Sequence, residues 1–280
     1  MSYVRKPFAM TAVPKNRPFA HYLAMWGCIS TGIVYLGIGI VALLSFYQLK
    51  EGGADESSLL VYLNRFIAGK LLIGLILSGM VSYIIWRFYE TIKDPYDYGN
   101  DLRGRLRRTV ILLSSLADGL IAYSALVVLL NTSGYNASGL PNQEREMAAK
   151  ILELSWGATA LTAIGMLIII TGIMQTGYVV SNTYRERIDI YHLKSVTRKT
   201  VVMLAWTGHF ARGIILTIIG YHYILAGTQQ DATRVVNTDK AFDFIGDHAG
   251  PALFITVAIA TVCYGIFMFI MGWNYDSDKH

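Results

Sequence analysis

Two charged residues lie inside long apolar stretches of the sequence. Asp118 is the only charged residue in the stretch 109–131, and Arg212 is the only one in the stretch 200–230. A charge near the middle of a bilayer costs roughly 2.5–3.5 kcal/mol, so such a residue is normally paired, hydrated or functional. A carboxylate and a guanidinium at one depth can form a bidentate ion pair. We therefore expect Asp118 and Arg212 to form the polar centre of a membrane protein.

Three further polar side chains are expected at membrane depth, namely Thr31, Gln175 and His209. His209 precedes Arg212 by three residues, so the two share one helix face. Three interpretations of the cluster stay open. It can be an ion pair that fixes helix packing, a polar constriction on a path for water, protons or a solute, or two charges that face different neighbours. The sequence offers no second carboxylate at this depth, which weakens a relay for cations.

The elements that must position these residues are six apolar segments. Each is long enough, with its flanks, to cross a hydrocarbon core that takes about 20 helical residues. They are 23–47, 71–86, 109–131, 154–184, 200–230 and 249–275. Strands are excluded because the runs lack an alternating pattern, and only a helix satisfies its own backbone in lipid. The sequence therefore predicts an all-α polytopic membrane protein with six transmembrane helices.

The distribution of basic residues predicts the orientation of these helices. Lys and Arg number 16 in the segments on the side of both termini and 7 in the segments on the other side. Cytoplasmic loops carry the excess of Lys and Arg, so we expect both termini in the cytoplasm. The net charge of +5 is therefore a topology signal, and a nucleic-acid partner is not expected. Cys28 and Cys263 fall inside spans, where packing is their expected role.

Small residues recur at one spacing in the first, third and fifth predicted helices. The three pairs are Gly27 and Gly32, Ser114 and Gly119, and Gly208 and Gly213. A second pattern recurs in the other three helices, at positions 79, 83 and 86, 171, 175 and 178, and 260, 264 and 267. Thr31, Asp118 and Arg212 each precede the second glycine. The patterns predict three parallel two-helix repeats in a pseudo-threefold arrangement, with the small residues at helix contacts.

These repeats set the expected domain boundaries. The ranges are a cytoplasmic leader 1–19, repeat one 20–98, repeat two 105–190, repeat three 198–275 and a cytoplasmic tail 276–280. The loops that join the two helices of repeats one and three contain the amphipathic stretches 59–67 and 241–248. Both stretches predict short helices that lie in the membrane interface.

Repeat three resembles a known family in three stretches of sequence. These are Ala241-Phe242-Asp243-Phe244-Ile245, Gly250-Pro251-Ala252-Leu253 and Tyr264-Gly265-Ile266-Phe267, and Ala211-Arg212-Gly213 adds to them. They resemble the repeat of a bacterial family of unknown function, whose members are membrane proteins built from three tandem two-helix repeats. The resemblance extends from about residue 20 to 275. It implies this architecture and an inner-membrane location, and it implies no activity or site residues.

No set of residues in the sequence has the spacing of a catalytic site, so we do not expect an enzyme. No cofactor is predicted, and a metal or haem site at His222 and His248 is a minor alternative. The expected function is an accessory or scaffold subunit of a larger membrane complex, in contact with membrane lipid and a membrane-protein partner. The alternative is a channel or carrier for a small solute, ion or proton through the polar cluster.

Overall fold

The computed structural model describes residues 17–47, 53–94, 98–130, 140–182, 184, 188 and 195–274. Some side chains within these ranges, including those of Ser114 and Asp118, lie outside the described part. The helices are α1 (Arg17–Phe46), α2 (Glu56–Asn64), α3 (Ile67–Lys93), α4 (Leu102–Leu129), α5 (Asn142–Leu152), α6 (Gly157–Val180), α7 (Ser195–Gln229), α8 (Thr238–Ala249) and α9 (Pro251–Trp273). These residues contain no strand, so the all-α prediction is confirmed for them.

Five helices of the described residues are long and apolar enough to cross a membrane, namely α1, α3, α6, α7 and α9. They coincide with five of the six predicted spans. The remaining predicted span, 109–131, falls on α4, a helix of 28 residues. This helix is not among the five, and several of its side chains lie outside the described part. Five candidate spans are thus established by length and composition, and the sixth stays a prediction.

The long helices pack in an order that follows the chain. α3 packs between α1 and α4, α9 packs between α1 and α7, and α6 packs along α7. The predicted repeats correspond to the helix pairs α1 and α3, α4 and α6, and α7 and α9. If these pairs formed a ring, the second helix of each pair would contact the first helix of its own pair and the first helix of the next pair. Every neighbour contact of such a ring is extensive in the described residues except the one between α4 and α6.

The two short helices α2 and α8 pack one face each against the bundle. Leu60 of α2 and Phe242 of α8 are each 1% exposed, and Leu59 packs against Gly37 of α1. Their apolar faces therefore contribute to the protein core, and the expected position of the two helices at the membrane interface stays a prediction. The helix α8 contains its predicted stretch, and α2 overlaps its stretch but begins and ends three residues earlier. The helix α5 in the corresponding loop of repeat two was not predicted.

Candidate functional site

Arg212 connects three helices at the centre of the bundle. Its guanidinium donates a hydrogen bond to the hydroxyl oxygen of Tyr264 on α9. The guanidinium carbon also lies 4.5 Å from the ring centroid of Tyr35 on α1 and 5.0 Å from that of Tyr264. The two tyrosine rings meet edge to face, with centroids 5.1 Å apart. Cation–π contacts of this kind are strongest where water is excluded, so α1, α7 and α9 share one charged joint.

His209 lies one turn from Arg212 and packs among aromatic rings. Its ring centroid is 5.1 Å from that of Tyr178, 5.0 Å from that of Tyr264 and 5.2 Å from that of Phe267. The side chain is 3% exposed, and its Nδ1 is 2.9 Å from the Ala205 carbonyl oxygen. A carbonyl only accepts, so Nδ1 carries the proton of this bond. The ring of Tyr264 thus touches both predicted site residues of α7.

The other predicted members of the polar centre have different positions. Thr31 is 1% exposed on α1, one turn before Tyr35, and its hydroxyl oxygen has no hydrogen-bond partner among the described residues. Gln175 is half-buried on α6. The side chain of Asp118 lies outside the described part, so its pairing with Arg212 stays a prediction.

The predicted packing glycines lie at close helix contacts. A Cβ atom on Gly208 would come within 2.5 Å of the backbone of Tyr264, and a Cβ atom on Gly27 would overlap the side chain of Tyr83. Gly27 and Gly208 are aligned positions of repeats one and three, as are Tyr83 and Tyr264. The same tyrosine–glycine contact therefore joins the two helices of each of these repeats. The side chain of Ser114, the aligned residue of repeat two, lies outside the described part.

The second small residue of each predicted pattern, namely Gly32, Gly119 or Gly213, faces a helix that belongs to another repeat. The nearest atom to a Cβ built on it belongs to an aligned residue in each case: Gly265 at 3.0 Å for Gly32, Ile84 at 4.0 Å for Gly119, and Thr176 at 2.8 Å for Gly213. These three neighbours each follow the central position of the second sequence pattern by one residue. The repeated register thus corresponds to three contacts between helices of different pairs.

A second polar cluster, which we call the cap lock, joins α2 to α8 and consists of Asp55, Glu56, Asn237, Thr238 and Asp239. Asp55 caps α2 by accepting the backbone N–H of Ser58 at 2.7 Å. Asn237 caps α8 by accepting that of Lys240 at 3.1 Å. The Asn237 amide also donates to the Asp55 carboxylate. Each capping side chain therefore stabilises the N-terminus of its own helix and holds the other helix.

Two carboxyl groups of the cap lock have raised pKa values. Burial raises the pKa of Glu56 to about 7, the charge of Asp55 adds to this, and the Arg212 guanidinium opposes it. Burial raises the pKa of Asp239 to about 6, opposed by the hydrogen bond from the Ala54 backbone N–H. Thr238 donates to Glu56 at 3.2 Å. Both groups therefore titrate nearer to neutral pH than exposed carboxyl groups do.

The cap lock should be more stable at pH 5 than at pH 8. Glu56 and Asp239 bind protons more tightly in the folded chain, so the folded state holds more protons than the unfolded state between pH of about 4 and 7. Stability then falls as pH rises through this window. We expect Glu56→Gln to reduce the difference in thermal unfolding temperature between the two pH values. Glu153→Gln, at an exposed position after α5, is the control. An unchanged pH difference in Glu56→Gln would contradict the assignment.

His222 and His248 pack against one phenyl ring. The ring centroid of Phe244 is 5.4 Å from that of His222 and 4.1 Å from that of His248. Nδ1 of His248 is 3.0 Å from the Phe244 carbonyl oxygen, a bond within its own helix. The described residues contain no group of three or more His, Cys, Asp or Glu placed to hold a metal ion. The geometry therefore gives no support to a metal site at these residues, and the haem alternative stays a prediction.

Fold and site together define a class of protein: the described residues form an all-helical bundle with five helices long and apolar enough to cross a membrane and an arginine packed among aromatic rings. A family model described as Domain of Unknown Function (DUF1206) matches residues 26–94 and 207–274. The two segments cover most of the long helices of predicted repeats one and three, and predicted repeat two lies outside them. No curated protein and no solved structure matches the chain significantly. The resemblance expected from the sequence is thus supported for repeats one and three.

Proposed function

We propose that the chain is a non-catalytic inner-membrane protein that serves as an accessory or scaffold subunit of a larger membrane complex. In this proposal six transmembrane helices form three parallel two-helix repeats around a pseudo-threefold axis, with both termini in the cytoplasm. The aligned contacts of Gly32, Gly119 and Gly213 support the repeat arrangement. The excess of basic residues in the predicted cytoplasmic segments supports the orientation.

The observation that carries the scaffold role is the use of Arg212 as a joint. Its guanidinium is bonded to one tyrosine and packed against two, so α1, α7 and α9 are held together at one point. His209 continues the same aromatic packing toward α6 through Tyr178. A charged side chain that packs between helices in this way fixes a single arrangement of the bundle. Such a bundle can present a constant surface to a partner.

A large apolar surface is available for that partner or for lipid. Only 22% of the residues in the most apolar 18-residue stretch of α6 are buried within the chain. Ile173 on this helix is 62% exposed. Gly177 on the same helix has open space where a Cβ would stand. Small residues on an exposed transmembrane face permit close approach of another helix. We infer that lipid covers most of this surface and that a membrane-protein partner contacts part of it.

A second candidate function is a channel or carrier for a proton or small solute. The observation in its favour is that Glu56 lies within electrostatic reach of Arg212 and has a pKa of about 7. A titratable carboxyl group in the cap lock is thus coupled to the charge of the polar centre. Ionisable residues within membrane proteins often mark proton or substrate paths.

Reconstitution of the full chain in liposomes separates the two functions. The scaffold role predicts proton and anion fluxes equal to those of empty liposomes, for wild type and Arg212→Gln alike. It also predicts that Arg212→Gln lowers the thermal unfolding temperature, because the joint between three helices is lost. A protein-dependent flux that Arg212→Gln abolishes, with no change in unfolding temperature, would overturn the scaffold role in favour of the carrier.

A further inference from the structure

A groove of about 420 Å³ runs along the first turns of α7. Its lining residues are Arg198, Lys199, Val202, Met203 and Trp206. They recur at helical spacing, so they form one stripe along the helix surface. Met203 is 57% exposed and Trp206 is 39% exposed. The stripe is therefore an open surface that is apolar along most of its length and cationic at one end.

The cationic end coincides with the positive end of the helix dipole. Helix α7 begins at Ser195, and its first turn has no acidic residue. Arg198 and Lys199 are the fourth and fifth residues of this helix, and both are exposed. The free N–H groups of a helix N-terminus carry about half a positive charge. Two full charges and this partial charge lie on the same few residues, so the groove has one strongly anion-attracting end.

The length of α7 places the two ends of the groove at different depths. Its 35 residues span about 52 Å, whereas a hydrocarbon core is about 30 Å thick. Trp206 lies about 12 Å along the axis from Arg198. Tryptophan is favoured at the boundary between hydrocarbon and headgroups. The apolar span predicted from the sequence begins at residue 200, so Val202, Met203 and Trp206 lie at the edge of the hydrocarbon, and Arg198 and Lys199 lie among the headgroups.

We propose that this groove binds one anionic phospholipid. Its phosphate lies between the side chains of Arg198 and Lys199, and its acyl chain lies along Val202, Met203 and Trp206. Free phosphate would satisfy the two cations and leave the apolar stripe uncovered, and a zwitterionic lipid would present an ammonium group to the two cations. An anionic lipid matches both ends. The site is independent of the scaffold role and would equally be present in a carrier.

Lipid-dependent quenching of tryptophan fluorescence tests the proposal. The full chain in detergent is titrated with phosphatidylglycerol or phosphatidylcholine whose acyl chains are brominated, and Trp206→Phe assigns the quenching to the groove. We expect wild type to bind phosphatidylglycerol about tenfold more tightly than phosphatidylcholine, because each surface cation contributes several-fold to anionic-lipid affinity. Arg198→Gln with Lys199→Gln should remove this preference.

The matched control is Arg65→Gln with Lys70→Gln, which removes two exposed charges at the opposite end of the bundle. It should keep the wild-type preference and the wild-type unfolding temperature. Equal affinity for the two lipids in wild type would overturn the proposal. Displacement of the brominated phosphatidylglycerol by millimolar inorganic phosphate would also overturn it, in favour of a soluble anion. If the control variant lost the preference for phosphatidylglycerol to the same extent, the preference would come from the net charge of the protein, and this result would also overturn the proposal.

Discussion

Gly265→Ala is expected to destabilise the protein by about 1–3 kcal/mol, the usual cost of forcing an extra carbon into a packed contact. A Cβ at this position would lie 2.6 Å from the backbone nitrogen of Leu36 and 2.8 Å from the carbonyl oxygen of Gly32. These are backbone atoms of α1, so relief requires α1 and α9 to move apart. The measurement is the thermal unfolding temperature of the purified protein in a mild detergent.

Gly74→Ala is the matched control for this substitution. A Cβ on Gly74, within α3, would meet no atom within 4 Å. Alanine favours a helix over glycine by about 1 kcal/mol, so this variant should be neutral or more stable. A similar loss of stability in both variants would show that the close approach of α1 and α9 does not set the cost.

Tyr264→Phe is expected to cost about 1.5–3 kcal/mol, the range for hydrogen bonds to charged groups. The substitution keeps the ring that packs against His209 and Arg212, and it removes only the oxygen that accepts from the guanidinium. Tyr221→Phe is the control, because this tyrosine is 49% exposed on α7. Its loss should stay within about 0.5 kcal/mol. Equal effects of the two substitutions would contradict the role of the Tyr264 hydroxyl.

Sequence alone predicts the long helices because lipid restricts the backbone so strongly. A run of apolar residues that must satisfy its own hydrogen bonds can only be a helix, and five such runs are helices in the structure. The repeat registers are also readable, because close helix contacts demand small residues at fixed spacing. Gly27 and Gly208 make the predicted kind of contact with Tyr83 and Tyr264.

The partners of Arg212 could not be predicted in the same way. Tyr264 is visible in the sequence as a repeated packing position, and Tyr35 is one of many tyrosines in apolar segments. A tyrosine ring suits lipid, protein core and a nearby cation alike. Only the crossing of α1, α7 and α9 decides among these environments. The acidic partner expected from the sequence, Asp118, stays a prediction.

The cap lock was missed because its bonds join residues distant in sequence. Asn237 and Asp55 are 182 residues apart, and each alone is an ordinary helix cap. A usable signal was their matching position in repeats one and three, at the start of equivalent amphipathic helices. The burial of α2 and α8 also required the structure, because an amphipathic pattern does not distinguish a membrane interface from a protein core.

A double-mutant cycle on Tyr264→Phe and Arg212→Met measures the joint between the helices directly. If the hydroxyl of Tyr264 stabilises the bundle by accepting from the guanidinium, Tyr264→Phe should lose most of its cost once Arg212 is replaced. The expected cost is about 1.5–3 kcal/mol in wild type and below about 0.5 kcal/mol in the Arg212→Met background, a coupling well above that of independent sites. The same cost in both backgrounds would show that Arg212 does not hold α9 through Tyr264.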